Sequence, residues 1–219
     1  MAIDQKRRMK QLAKKVAKRK KVLADKKASQ VKMGISSVRT LMGLASISPI
    51  HKCLVPTGIF DLGIGDVIIS RKMPDGSIAA SVFLVDVSCL GVKDCFFTVI
   101  SKGEYDRRMM NLMEKEDLEE VEPEYAVKLI ERAVAYAKSL GIDPHEDYPL
   151  VKKIFGNIDP STCLSDFEFG KDGKPFYVSG PSQSEADSQR IINHLTDRLG
   201  PDGFHYLVRV NAGEDLGED

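Results

Sequence analysis

A nearly continuous apolar run decides the fold: residues 79–87 read AASVFLVDV. Such a run is typical of a central strand that is buried on both faces. A strand over residues 66–72 precedes it, and residues 74–77 (PDGS) form a turn sequence, because Pro fixes φ and Gly tolerates positive φ. Cys95–Ile100 is aromatic and β-branched and predicts the next strand. A sheet therefore forms the middle of the protein.

The helix that follows this sheet has the strongest pattern in the sequence. Pro123 suits its first turn, Gly141 suits its end, and Pro144 blocks its continuation. Its apolar positions recur at helical spacing: Ala126, Leu129, Ile130, Ala133, Val134, Ala137 and Leu140. This stripe predicts a long helix that packs against the core.

The last third reads as shorter elements. Residues 167–169 and 175–178 flank an Asp-Gly turn and predict a β-hairpin, after which Ser184 caps a helix. The order of elements predicts an α+β fold, namely a single compact domain with a mixed or antiparallel sheet, flanking helices and a basic N-terminal helical arm. We divide the chain into this arm (1–34), a globular body (35–210) and an acidic disordered tail (211–219).

Charge is strongly segregated along the 219 residues. The first 27 hold 12 of the 32 basic residues and two of the 32 acidic ones, a net charge of +10. The remaining 192 residues therefore carry −10. A basic arm on an acidic body indicates a polyanionic partner or self-association.

The arm is the candidate nucleic-acid-binding segment. It contains no aromatic residue through Met33, so contact with the backbone of structured RNA or the ribosome is favoured over base stacking. The predicted contact residues are Lys6, Arg7, Arg8, Lys10, Lys14, Lys15, Lys18, Arg19, Lys20 and Lys21. The alternatives are a solubilising tail that docks on the acidic segment 114–124 and an arm that recognises an acidic protein partner. The thin apolar stripe of the arm disfavours a membrane surface.

The sequence also bears on localisation. The N-terminus lacks the apolar stretch of a secretory signal, and no apolar run is long enough to span a bilayer. The four cysteines form no CxxC pair and show no zinc-like spacing with histidines. We expect a cytoplasmic protein with reduced thiols.

Two stretches are similar to motifs of a family of uncharacterised bacterial proteins. They are residues 82–94 (VFLVDVSCLGVKD) and 133–147 (AVAYAKSLGIDPHED). The Lys-rich N-terminus and the FGKDGKP segment at 169–175 also fit that family. The resemblance implies a bacterial cytoplasmic protein and assigns no catalytic role.

Four side chains are candidates for catalysis: Asp86, Asp94, His145 and Asp147. An acid within an apolar strand is costly unless it is paired or functional, and the loop after Asp86 joins two predicted strands. The three carboxylates and His145 could bind a divalent metal, chiefly through oxygen, for phosphodiester hydrolysis. Beside carboxylates, His145 could instead serve as a general base.

Structural roles compete with each of these assignments. We expect Asp86 to be buried and to accept at least one hydrogen bond from the loop Cys89–Asp94, or to pair with Lys93. His145 could cap the next helix or lie on the surface. Cys89 could pair with His145 as nucleophile and base, although a core thiol is favoured.

Three functions remain open. RNA or ribosome binding through the arm is favoured, and a metal-dependent hydrolase or nuclease and a protein–protein interaction module are the alternatives. We expect no cofactor, with a divalent metal only under the hydrolase alternative.

Overall fold

The computed structural model describes residues 35–114, 116–180 and 183–208. They fall into two compact units, 35–173 and 174–208, which are described separately. The predicted arm and acidic tail lie outside the described residues. In the described part of the chain, no helix is both long and apolar enough to cross a bilayer.

The larger unit contains a sheet with helices before, between and after its strands. Its elements are α1 (Ile35–Ile47), β1 (Ile50–Pro56), α2 (Ile59–Leu62), β2 (Ile64–Lys72), β3 (Ile78–Asp86), β4 (Gly91–Ile100), α3 (Lys102–Met113), β5 (Leu118–Glu120), α4 (Pro123–Ser139) and α5 (Tyr148–Val151). Two 3-10 turns, Lys152–Phe155 and Pro160–Thr162, follow α5. Helices and an antiparallel sheet confirm the predicted α+β class.

The five strands lie in the order β4-β3-β2-β1-β5, and every neighbouring pair is antiparallel. Strand β3 carries the apolar run and lies between β2 and β4. The run is thus an interior strand, as predicted. Its turn to β2 also forms as predicted: Asp75 Oδ1 accepts the Ser77 N–H (2.9 Å), and Gly76 has φ +81°. This turn fixes the register, which pairs Lys72 with Ile78 and Ile64 with Asp86.

One face of the sheet packs against α4. Six of the seven buried side chains of this helix join those of β1 to β4 in the main core. The helix ends with a Schellman motif, in which the Ile142 N–H donates to Ala137 O (2.9 Å) and the Gly141 N–H to Lys138 O (2.9 Å). Gly141 has the left-handed φ of +78° that this ending requires. The predicted helix and its end are confirmed.

Two elements differ from the sequence predictions. The acidic segment after α3 contains the short edge strand β5, which pairs with β1 and which the sequence did not predict. The predicted strand pairing of residues 167–169 with 175–178 is wrong, although the Asp-Gly turn between them forms, with φ of 51° at Asp172 and 75° at Gly173. Residues 167–169 form no strand, because Phe167 and Phe169 contact the aromatic rings of α4 instead.

The smaller unit contains β6 (Phe176–Val178), α6 (Glu185–Leu199) and β7 (His205–Leu207). Strands β6 and β7 pair in parallel. The partner of residues 176–178 therefore lies 29 residues later in the chain, and not across a hairpin turn. Ser184 caps α6 as predicted, its Oγ accepting the Asp187 N–H (3.0 Å).

Candidate functional site

Asp86 ends β3 and closes the turn that leads into β4. It is 4% exposed, and its Oδ1 accepts the backbone N–H of Ser88 (3.0 Å) and of Cys89 (2.9 Å). Its Oδ2 lies 3.9 Å from Lys93 Nζ. The expectation that Asp86 is buried and hydrogen-bonded by its loop is confirmed.

Helix α4 packs directly on this turn. Gly91 has φ +62°, and a Cβ there would lie 2.8 Å from Ala137 Cβ and 2.9 Å from Ala133 O. The enclosure that results raises the pKa of the Asp86 carboxyl, because burial outweighs the opposing effects of Lys93 and the turn amides. Asp86 therefore stabilises the turn and is closed off from solvent.

Cys89 follows in the same turn and is fully buried. Burial, and secondly the Asp86 carboxylate, raises the pKa of the Cys89 thiol to about 12. A thiol nucleophile needs a lowered pKa to ionise near neutral pH. The surroundings of Cys89 therefore favour a core thiol over the nucleophile of a Cys–His pair.

His145 lies between two of the other candidate residues. Its backbone N–H donates to Val92 O (2.9 Å), which fixes the 144–147 loop to β4. Its Nδ1 accepts the Asp147 N–H (3.2 Å), so the proton of the neutral ring is on Nε2, which lies 3.8 Å from Asp94 Oδ1. Both ring nitrogens thus face groups of the protein, which favours a structural role over that of a general base.

The structure brings Asp94, His145 and Asp147 together and places Asp86 in its own turn. His145 Nδ1 also lies 3.9 Å from Asp147 Oδ2. Within residues 35–114, 116–180 and 183–208, no group of three or more His, Cys, Asp or Glu side chains is arranged to hold a metal ion. The described residues therefore supply no metal centre in support of the hydrolase alternative.

Arg71 is a buried cation that the sequence analysis missed. It is 3% exposed, and its guanidinium donates to Ser48 O (2.5 Å), Ile154 O (2.6 Å) and Phe155 O (2.6 Å). Burial lowers its pKa. These bonds join β2, the end of α1 and the 3-10 turn Lys152–Phe155. The carbonyl groups that accept them carry no net charge, so they do not balance the charge of the guanidinium.

A signal for Arg71 existed in the alternation of β2. Val67 and Ile69 belong to the main core, and residue 71 shares their face of the strand. Register, rather than residue type, therefore indicates that this arginine points inward.

A cleft of about 400 Å³ opens beside the segment that Arg71 holds. Its charged lining residues are Glu131 of α4 and Lys152 and Lys153 of the 3-10 turn. Ser46 and Gly156 form part of its wall, and the remaining lining is apolar. We call it the Lys152–Lys153 cleft. No sequence motif marks this cleft, because its lining residues come from separate segments.

The predicted RNA-binding residues of the arm lie outside the described residues, so their geometry is not part of this site. Comparison with known proteins adds no assignment: the chain matches no protein-family model, no curated protein and no solved structure. Function must therefore be argued from the residues of this chain.

Proposed function

We propose that this protein binds structured RNA, including ribosomal RNA, through its basic N-terminal arm. The observation that carries the proposal is charge segregation: the first 27 residues have a net charge of +10 and the rest of the chain −10. A merely soluble protein does not need such a separation. A segment with many closely spaced basic residues can contact the phosphates of a polyanion in several alternative ways.

The physical basis of such binding is counterion release. Each lysine or arginine near a phosphate displaces condensed cations from the nucleic acid, so affinity falls steeply as salt rises. A protein with roughly 6–10 phosphate contacts loses about 10³- to 10⁵-fold in affinity between 50 and 200 mM salt. The arm has ten predicted contact residues, which is enough for a salt dependence of this size.

The chemistry of the larger unit supports binding over catalysis. Asp86 is engaged by its turn, the Cys89 thiol is buried, and both His145 nitrogens face protein groups. Because the rest of the chain is acidic, a broad RNA contact over the body is disfavoured. The arm is the segment whose charge best fits the partner.

The test is a binding titration with a folded ribosomal RNA fragment at several salt concentrations. In one variant, all ten predicted contact residues are replaced by glutamine. We expect the intact chain to show the steep salt dependence given above, and the glutamine variant to bind at least about 100-fold more weakly at 50 mM salt.

A charge-preserving variant is the matched control. In it, each lysine among the ten becomes arginine and each arginine becomes lysine, and we expect the RNA affinity to stay within a few-fold of that of the native chain. Equal affinity of the native and glutamine variants, or binding that does not respond to salt, would contradict the proposal.

A further inference from the structure

The Lys152–Lys153 cleft carries more positive than negative charge. Two lysines and one glutamate line it, and apolar side chains form much of the remaining wall. Its volume of about 400 Å³ is within the range of small-ligand sites in proteins. A group with negative charge and modest size therefore fits the cleft better than a cation does.

Arg71 adds a third positive charge directly behind the wall. A Cβ at Gly156, which lines the cleft, would lie 2.8 Å from Arg71 Nη2. Each guanidinium nitrogen of Arg71 donates to one of three carbonyls, and these neutral acceptors leave its unit charge in place. No carboxylate of the described residues forms a salt bridge with Arg71. Its field therefore reaches the cleft through a thin layer of protein, where screening by water is reduced.

Gly156 permits this close approach. It has φ +59°, a conformation that side chains rarely adopt, and a Cβ there would overlap Ser46 O at the end of α1. Only a glycine lets the wall of the cleft lie this close to both α1 and the guanidinium. The sequence thus places a backbone surface between the buried cation and the open cleft.

Lys152 is partly preorganised for an incoming anion. Its Nζ lies 5.6 Å from the centre of the Tyr148 ring, a cation–π contact that restrains the long side chain. The ring face does not engage all three N–H groups of the Lys152 ammonium. Lys152 therefore keeps hydrogen-bond donors for a ligand. Restraint before binding lowers the entropy lost on binding.

We infer that the Lys152–Lys153 cleft binds a phosphate group of the RNA held by the arm, an inference that rests on the proposed function. Helix α1 begins where the arm ends in sequence, and its other end contacts the 3-10 turn that carries both lysines. The cleft therefore lies on the unit whose described part begins directly after the arm in sequence. Glu131 opposes the anion and keeps the affinity of the cleft alone low.

The test uses the full chain with the arm intact. Lys152→Gln combined with Lys153→Gln should weaken binding of the ribosomal RNA fragment about tenfold at 50 mM salt, and lower the slope of log affinity against log salt by about two. Glu131→Gln should strengthen binding. The matched control is Lys72→Gln with Lys138→Gln, two exposed lysines of the same unit outside the cleft, and it should change the slope less.

The remaining outcomes separate the hypotheses. If the cleft variant binds RNA as the native chain does while the arm variant loses binding, the cleft inference is wrong and the proposed function stands. If neither variant loses affinity, the proposed function is wrong as well. Titration with inorganic phosphate identifies the source: saturable binding of free phosphate that the cleft variant abolishes, with unchanged RNA affinity, would overturn the RNA contact in favour of a small-phosphate site.

Discussion

At the scale of a single residue, Asp86 is held by two backbone amides of its own turn. Removal of the carboxylate leaves buried donors unpaired, at a cost of about 1–3 kcal/mol. We therefore expect Asp86→Ala to lower the free energy of unfolding by about 1–3 kcal/mol in urea denaturation. Asp86→Asn keeps an acceptor oxygen and should lose less.

The same two variants give a pH readout. Because burial raises the pKa of Asp86 in the folded state, that state binds the proton more tightly than the unfolded chain does. The Asp86 contribution to the free energy of unfolding therefore falls as pH rises from about 4 through the folded-state pKa. We expect the stability of the native chain relative to Asp86→Asn to fall over that interval.

Asp75 provides the control for Asp86. Its Oδ1 also accepts the N–H of a residue two positions later, Ser77, but in an exposed turn. Water can replace the lost acceptor there, so Asp75→Ala should cost much less than Asp86→Ala. Equal losses of unfolding free energy for the two alanine variants would show that burial of the Asp86 turn does not determine the cost of removing its carboxylate.

Residue-level prediction succeeded for Asp86 and missed Arg71 because only Asp86 differs in character from the residues beside it in sequence. An acid in an apolar run stands out because burial of a charge is costly, whichever way the side chain points. Arg71 lies near the end of a strand, next to Lys72 and a turn, where a basic residue is ordinary. Only the register of β2 reveals that Arg71 faces the core, and its carbonyl partners come from segments more than 20 positions away.

At the scale of elements, the segment Cys163–Gly170 lies along α4 without forming a strand. Lys128 Nζ of α4 donates to Cys163 O (2.7 Å) and Ser165 O (2.8 Å). The other end is held by the Phe169–Tyr136 stack, with ring centres 5.3 Å apart, and by the Gly170 N–H, which donates to Val87 O (2.8 Å). The segment is thus attached by a lysine at one end and by an aromatic ring at the other.

Lys128→Met should loosen only the first end of this segment. It removes both donors but keeps an apolar stem on α4, so we expect faster backbone hydrogen exchange at residues 163–166 and little change at 169–170. Hydrogen exchange read by mass spectrometry would measure this difference.

Arg132→Met is the control for that experiment, because residue 132 lies one turn later on the same helix and is exposed. It should leave exchange at 163–166 unchanged. Equal effects of the two variants, or no effect of Lys128→Met, would contradict the role of Lys128 in holding the segment.

Elements were predictable where local signals agreed with their tertiary partners. The β2–β3 hairpin has both a turn sequence and apolar strands, and α4 has a full apolar stripe, a start and an end. Strand β5 has the sequence Leu-Glu-Glu and forms because it pairs with β1. No local sequence pattern predicts that pairing. The predicted Asp-Gly turn at 172–173 forms, but the predicted strand at 167–169 was wrong because the phenylalanines pack on helix α4.

At the scale of the whole molecule, the charge pattern and the core lie in different parts of the sequence. Among the described residues, the buried members of the main core run from Met42 to Phe155, whereas the excess of positive charge precedes residue 28. Stability and the proposed RNA contact therefore depend on different residues. This separation makes it possible to remove one property and measure the other.

Deletion of residues 1–27 should leave the melting temperature within about 2 °C of that of the full chain, since it removes none of the core residues found in the described part of the chain. The truncated chain keeps 20 basic and 30 acidic residues. Melting curves followed by circular dichroism should be recorded at both 20 and 500 mM salt. If the arm instead docks on the acidic segment 114–124, attraction between the opposite charges would be screened by salt. The deletion would then lower the melting temperature markedly at 20 mM and little at 500 mM, and that salt-dependent difference would contradict an arm that is free to bind RNA.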